Sequence, residues 1–456
     1  MRSFTLALLA LLPAQAAAHA FGARYDLPLP LHLWLWTAGA TVALSFAVFA
    51  LVLRGGAGGV SYPRHLLFRR SEFLVVLVRI LSFTAFVALL ACGFLGSQDP
   101  FHNFLPTFVW IAWWIGFTYL TVLVGDVWAL VNPWKAVYPP RFGLHRDLPR
   151  AVGAWPAVLL LLAFGWIEIV WEGNAVPANI ARLAAAYSVL TWTGMFVFGR
   201  DAWLASGEVF SVYFGLLARL APIDHELKLR PPAAGLLDPR PVSASVAAFV
   251  VVMLATVAFD GARETPLWAS LLERLSKPGE PLSDAAWTAA TTAGLLLAPC
   301  LFAIVILAVC ASMAWLARGD ARPASAGELA RLFVPTLLPI AFAYHVAHYL
   351  SYLLIAGQVV IPLASDPLGR GWNLLGTAHF KPAIDIVGAR FAWYTSVVVI
   401  VLGHVVAMYV AHRVALERFA DARMARRSQY PFAALMVLYT MMSLWILAQP
   451  IVETRP

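Results

Sequence analysis

An all-α, polytopic bundle of transmembrane helices is the fold that this sequence predicts. Three observations carry the expectation. The chain is 61 % hydrophobic and only 12 % charged, with a mean hydropathy of +0.77, far from an ordinary soluble domain. Apolar runs of about twenty residues, each long enough to cross a bilayer, recur along its length. Lys and Arg fall in alternate loops, the pattern that sets membrane topology.

In chain order, Met1 to Ala20 reads as a secretory signal. Arg2 supplies a positive start, Leu6 to Leu12 an apolar core and Ala16-Ala17-Ala18 a small-residue cleavage site. Residues 21–456 then form a single transmembrane helical domain. Cleavage after Ala18 leaves His19 at the N-terminus, where its amine and ring can bind copper. The adjacent site Ala18-His19-Ala20 would remove it.

About ten spans follow: Leu31–Leu53, Glu72–Gly96, Phe104–Leu130, Val152–Val170, Asn179–Gly199, Val242–Phe259, Ala286–Leu316, Leu332–Ile361, Phe391–His412 and Pro431–Ala448. Trp34, Trp36, Trp110, Trp113, Trp114 and Trp171 lie at or near span ends, as interfacial aromatics do. The segment Ser206 to Leu220 is short for a span and is bracketed by Glu208 and Arg219. It reads as an interfacial or re-entrant helix. Arg64, Lys135, Arg240, Arg318 and Arg427 mark the basic loops, whereas SQDPFHN and WEGNAVP contain no Lys or Arg. This alternation places the basic loops in the cytoplasm and both mature ends in the periplasm of a bacterial inner membrane. The net charge of +8 is thereby explained without a nucleic-acid partner.

The chemistry concentrates in Tyr344 to Leu354, YHVAHYLSYLL. His345 and His348 are three apart and share one helix face. Tyr344, Tyr349 and Tyr352 bring hydroxyls to the same run. A second run carries His404, Met408 and His412 in four-residue steps. Ionisable groups at membrane depth face a bundle interior or a wet cavity. HVAH lacks the glutamate and spacing of a zinc-protease motif. Counted from the loop that joins the two spans, His345 and His404 differ in depth by only about 5 Å. The three imidazoles could therefore meet and hold zinc or another divalent transition metal. Haem b ligation, proton relay and simple hydrogen bonding between helices suit the same residues. Carboxylates that could join such a site are Asp126, Glu168, Asp260 and Asp366. His32, His102 and His379 lie in loops on the same side. Cys92, Cys300 and Cys310 form no CxxC, so neither a disulfide framework nor a zinc knuckle is expected.

The stretches AHAFGARYDLPLPLHLWLW, LVNPWKAVYP, FGRDAWLASGEVFSVYFGLLARLAP and FDGARETPLW resemble the bacterial polytopic membrane proteins named fenitrothion hydrolase, a membrane-bound organophosphate-cleaving activity. The resemblance covers essentially the whole chain and supplies no catalytic motif. It implies hydrolysis of a bulky apolar organophosphate or related ester drawn from the lipid. His345, His348 and His404 would then hold a metal-bound hydroxide, with Tyr344 or Tyr349 on the phosphoryl oxygen. The alternative expectation is a transporter, or a membrane subunit that holds haem or metal beside partner subunits, with the same histidines handling protons, metal or haem.

Overall fold

The computed structural model describes residues 29–53, 62–67, 71–276, 282–450 and 452 of the chain. Among them, nine helices are long and apolar enough to cross a membrane, and one shorter apolar helix, Trp155–Ile169, accompanies them. Each expected span is therefore helical, and the chain is an all-α, multi-pass membrane bundle. The elements used below are α1 (Leu31–Val52), α2 (Glu72–Leu95), α3 (Phe104–Leu123), α4 (Trp155–Ile169), α5 (Pro177–Phe198), α6 (Val209–Leu217), α7 (Ala244–Ala262), α8 (Pro266–Glu273), α9 (Asp284–Leu316), α10 (Leu338–Ala356), α11 (Ala389–Arg418), α12 (Ala422–Ser428) and α13 (Tyr430–Leu447). The expected signal segment and His19 lie outside the described residues.

Local chemistry sets the helix ends. The hydroxyls of Ser71, Ser243 and Ser283 accept from backbone N–H groups three residues on, capping α2, α7 and α9. Gly199 closes α5 at φ +88°, where a side chain would be strained. Phe73, Leu74, Ile80 and Leu81 on α2 and Leu297, Leu301 and Ile304 on α9 are exposed. Such apolar faces are unsuited to water and suited to lipid.

One span departs from the expectation. The span from Phe104 stops at Leu123 rather than Leu130, and its middle, Phe108–Gly116, is a π-helix. Trp113 and Trp114 are consequently turned into the bundle instead of standing at an interface. Trp113 packs on Phe210 at 4.6 Å and Trp114 on Phe164 at 4.6 Å between ring centroids. For Ser206 to Leu220, the re-entrant alternative fits α6 better than the interfacial one, because Phe210, Tyr213, Phe214 and Leu217 are all buried. It enters the bundle and does not lie on its surface. Glu208, fully buried, caps it by accepting from the N–H of Phe210 (2.9 Å) and Ser211 (2.8 Å). A short helix can sit inside a membrane protein only when its free backbone groups are satisfied in this way. A small ribbon was also unexpected: His65–Leu66 pairs antiparallel with Lys228–Leu229, beside an Arg64–Asp224 ion pair.

The close seams depend on glycine. A Cβ built on Gly403 of α11 would lie 2.4 Å from the Ala343 Cβ of α10. A Cβ on Gly261 of α7 would lie 2.6 Å from the Tyr344 hydroxyl. Small residues let membrane helices approach this closely, and the α7–α10 seam is where the ionisable groups meet.

Candidate functional site

The C-terminal ends of α4 and α7 converge on the middle of α10. Asp260, in the last turn of α7, is buried at 4 % exposure. Its Oδ2 accepts from His348 Nε2 (3.0 Å) and from the Tyr349 hydroxyl (2.9 Å). Its Oδ1 accepts from Arg263 Nε (2.9 Å), one turn further along the chain. Arg263 Nη2 also reaches Glu264 Oε1 at 3.4 Å. Both carboxylate oxygens are thus used, and a cation stands on one side of the carboxylate. That geometry favours ionised Asp260, because a buried charge is tolerated only when paired and hydrogen-bonded.

Glu168 of α4 faces the same space. Its Oε1 accepts from Trp114 Nε1 at 2.8 Å, a contact made available by the inward turn of the π-helix. A cavity of ≈ 40 Å³ separates these groups, lined among others by Trp114, Glu168, Tyr213, Asp260, His345 and Tyr349. It has room for roughly three waters and enough polar partners to hold them. Beyond the end of α7, burial raises the Glu264 carboxyl to about 7, and the charge of Asp260 adds to the effect.

His348 and Tyr349 are therefore at the centre and His345 lines the cavity, in van der Waals surroundings of Trp114 and Tyr119. His345 Nε2 has no hydrogen-bond partner among the described residues. Tyr344 points elsewhere, towards Gly261 and Ile446, with its hydroxyl unpartnered. His404 sits apart: its ring packs on Tyr439 at 5.6 Å, and Nδ1 donates to the Ile400 carbonyl at 2.8 Å. Nε2 is then a bare acceptor. The ring contacts of His345 are Trp114, Tyr119 and Tyr349, whereas that of His404 is Tyr439. Depth along two helices can match while the faces differ. Among the described residues, no three His, Cys, Asp or Glu side chains are grouped to hold a metal ion.

The remaining expected residues serve local structure. Asp126 lies in the break after α3 and accepts from Ala129 N (3.0 Å). Asp366 accepts from Arg370 N and Gly371 N (2.8 and 2.6 Å). His102 bonds Asp99, and His32 and His379 are exposed. His412, expected near an interface, is fully buried against Gln429. Cys92 and Cys310 are buried, Cys300 is exposed, and all three are free. What sequence reasoning missed is Arg263. Its signal was present in FDGARETPLW, where Asp260 and Arg263 stand three apart at the end of an apolar run. Spacing of that kind aligns an ion pair on one helix face.

No family model matches this chain, and no curated protein or solved structure matches it.

Proposed function

We propose that this protein is a proton-handling membrane transporter, or the proton-relaying subunit of a larger membrane assembly, working through Asp260 and His348 in a bacterial inner membrane. The observation that carries the reading is the Asp260 carboxylate, buried in the bundle, hydrogen-bonded to a histidine and open to a cavity of water size. Intramembrane ionisable groups of this kind mark ion and proton pathways. A proton arriving from the cavity at Asp260 Oδ2 would cancel the charge that holds His348, Tyr349 and Arg263. The α7–α10 seam would loosen as a direct consequence. A change at one carboxylate thereby biases the packing of two spans.

The hydrolytic reading would use the same pair, with Asp260–His348 as a general base for trapped water. A cavity of ≈ 40 Å³ holds waters rather than a phosphotriester, so that reading requires the helices to part. His345 and His348 both pack on Tyr349, but among the described residues no three His, Cys, Asp or Glu side chains are grouped as a catalytic metal would need.

Purified protein in liposomes with a trapped pH dye tests the proposal. Wild type should pass protons down an imposed gradient, and Asp260→Asn and His348→Gln should each lower the rate at least tenfold. Equal flux in all three proteins sinks it. Hydrolysis of an apolar phosphotriester by wild type without proton flux, lost in Asp260→Asn, replaces it with the hydrolase.

A further inference from the structure

At the arginine-rich end of the bundle, an open pocket lies between the end of α9 and α12. It measures ≈ 250 Å³ and is lined by Trp315, Leu316, Arg318, Gly319, Met424 and Arg427. Its construction is particular. α9 has 33 residues, about 50 Å of helix, so it outreaches a hydrocarbon core of about 30 Å. Its exposed face carries Leu297, Leu301, Ile304 and, at the end, Trp315. The Arg318 guanidinium lies over the Trp315 ring, 5.6 Å from its centroid. Arg427 projects into the same space from the last turn of α12. Met424 closes the floor, its Cε 3.1 Å from where a Cβ on Gly319 would stand.

Neither Arg318 nor Arg427 has a carboxylate partner among the described residues. The nearby acids are spent on backbone. Asp320, itself buried, accepts from the N–H of Arg322 (2.8 Å) and Ala420 (2.9 Å). Asp421 caps α12 through Arg423 N (3.0 Å). Two exposed guanidiniums, with no carboxylate partner among the described residues, thus border one open pocket, and its wall runs on into an exposed apolar helix face.

We propose that this pocket binds the headgroup of an anionic phospholipid, whose acyl chains lie along α9. The phosphate would take the two guanidiniums, which bind its oxygens through paired N–H groups. Trp315 would stand at headgroup level, where amphipathic rings settle. A free phosphate offers the same charge without chains to bury, so charge and apolar face together select the lipid. Basic pockets between helices at a membrane surface take acidic headgroups in this manner.

The test uses full-length protein in nanodiscs of phosphatidylcholine, titrated with phosphatidylglycerol and followed by native mass spectrometry and thermal unfolding. Phosphatidylglycerol should bind and raise the unfolding temperature, whereas inorganic phosphate should do neither. Arg318→Gln/Arg427→Gln should weaken phosphatidylglycerol binding at least tenfold. Arg318→Lys/Arg427→Lys should fold alike and bind more tightly than the Gln pair but less tightly than wild type, because it keeps the charge and loses the paired N–H groups; this separates loss of charge from loss of fold. Unchanged binding by the Gln pair overturns the proposal. So does an equal effect of inorganic phosphate, which would mean an anion site without a lipid.

Discussion

Replacing Asp260 with Asn removes the one charge that three donors share. Its effect follows from the contacts. Arg263, His348 and Tyr349 donate to it at 2.9, 3.0 and 2.9 Å. Breaking a buried ion pair by deleting one partner costs about 3–5 kcal/mol, because the other charge is stranded. Two features reduce that figure here. Glu264 Oε1, 3.4 Å from Arg263 Nη2, can take part of the charge, and Asn still offers Tyr349 an acceptor. A loss of about 2–4 kcal/mol is therefore expected. Ordinary interhelical hydrogen bonds in membranes give about 0.6 kcal/mol and rarely exceed about 1.7. The decisive assay is a double-mutant cycle of Asp260→Asn with Arg263→Gln, measured by reversible unfolding in mixed micelles. If Arg263 is stranded by the first change, removing it should then cost little, and the coupling should reach about 2 kcal/mol. Additivity within about 0.5 kcal/mol would mean that the carboxylate is not energetically tied to the arginine. The ionised centre would then be refuted.

Three further outcomes are expected. Gly261→Ala should cost about 1–3 kcal/mol by overpacking the α7–α10 seam, and Tyr344→Phe should restore much of that loss, because the oxygen 2.6 Å from the new Cβ is gone; a neutral Gly261→Ala in a thermal melt contradicts the close approach. Glu264 is raised to about 7 from 4.5, so between about pH 5 and pH 7 the folded chain keeps a proton that the unfolded chain has lost. Stability should accordingly fall as pH rises through that window, by at most about 3 kcal/mol. Glu264→Gln should flatten the profile, and a melting temperature that climbs from pH 5 to pH 8 would reverse the sign and exclude the shift. His345→Ala and His404→Ala should add within about 0.5 kcal/mol, because His345 packs on Trp114, Tyr119 and Tyr349 and His404 on Tyr439; strong non-additivity, with metal released by either change, would show that they hold one ion.

The helices were legible because their signal is long and repeated. Every span rests on about twenty apolar residues, and the caps at Ser71, Ser243 and Ser283 mark where three of them begin. The face each helix presents was far less legible. α2 and α9 are apolar all round, so periodicity cannot say which side meets lipid. The same limit governed the histidines. HVAH correctly put His345 and His348 on neighbouring turns, but depth alone suggested His404 as their companion. The π-helix at Phe108–Gly116 has no sequence mark comparable to a proline, yet it directs Trp114 at Glu168. Asp260 was recognised as a span-end carboxylate, and its partner became visible only when Gly261 brought α7 against Tyr344.

Two buried carboxylates differ in what holds them. Glu208 begins α6 and receives only neutral donors: the N–H of Phe210 and Ser211, the Tyr187 hydroxyl (2.6 Å) and Asn132 Nδ2 (3.1 Å). The positive end of the helix favours its charge, and the surrounding amides fix it in place. Those contacts hold the start of a short buried helix in place. Asp260 ends its helix, where the dipole opposes a negative charge. Its ionised form instead depends on Arg263 and on His348, a ring that titrates near physiological pH when unperturbed. A water-sized cavity adjoins it. Glu208 is therefore tied to the backbone of the helix it begins, whereas Asp260 holds three side chains at a helix seam, contacts that a proton arriving under the proposed relay would release.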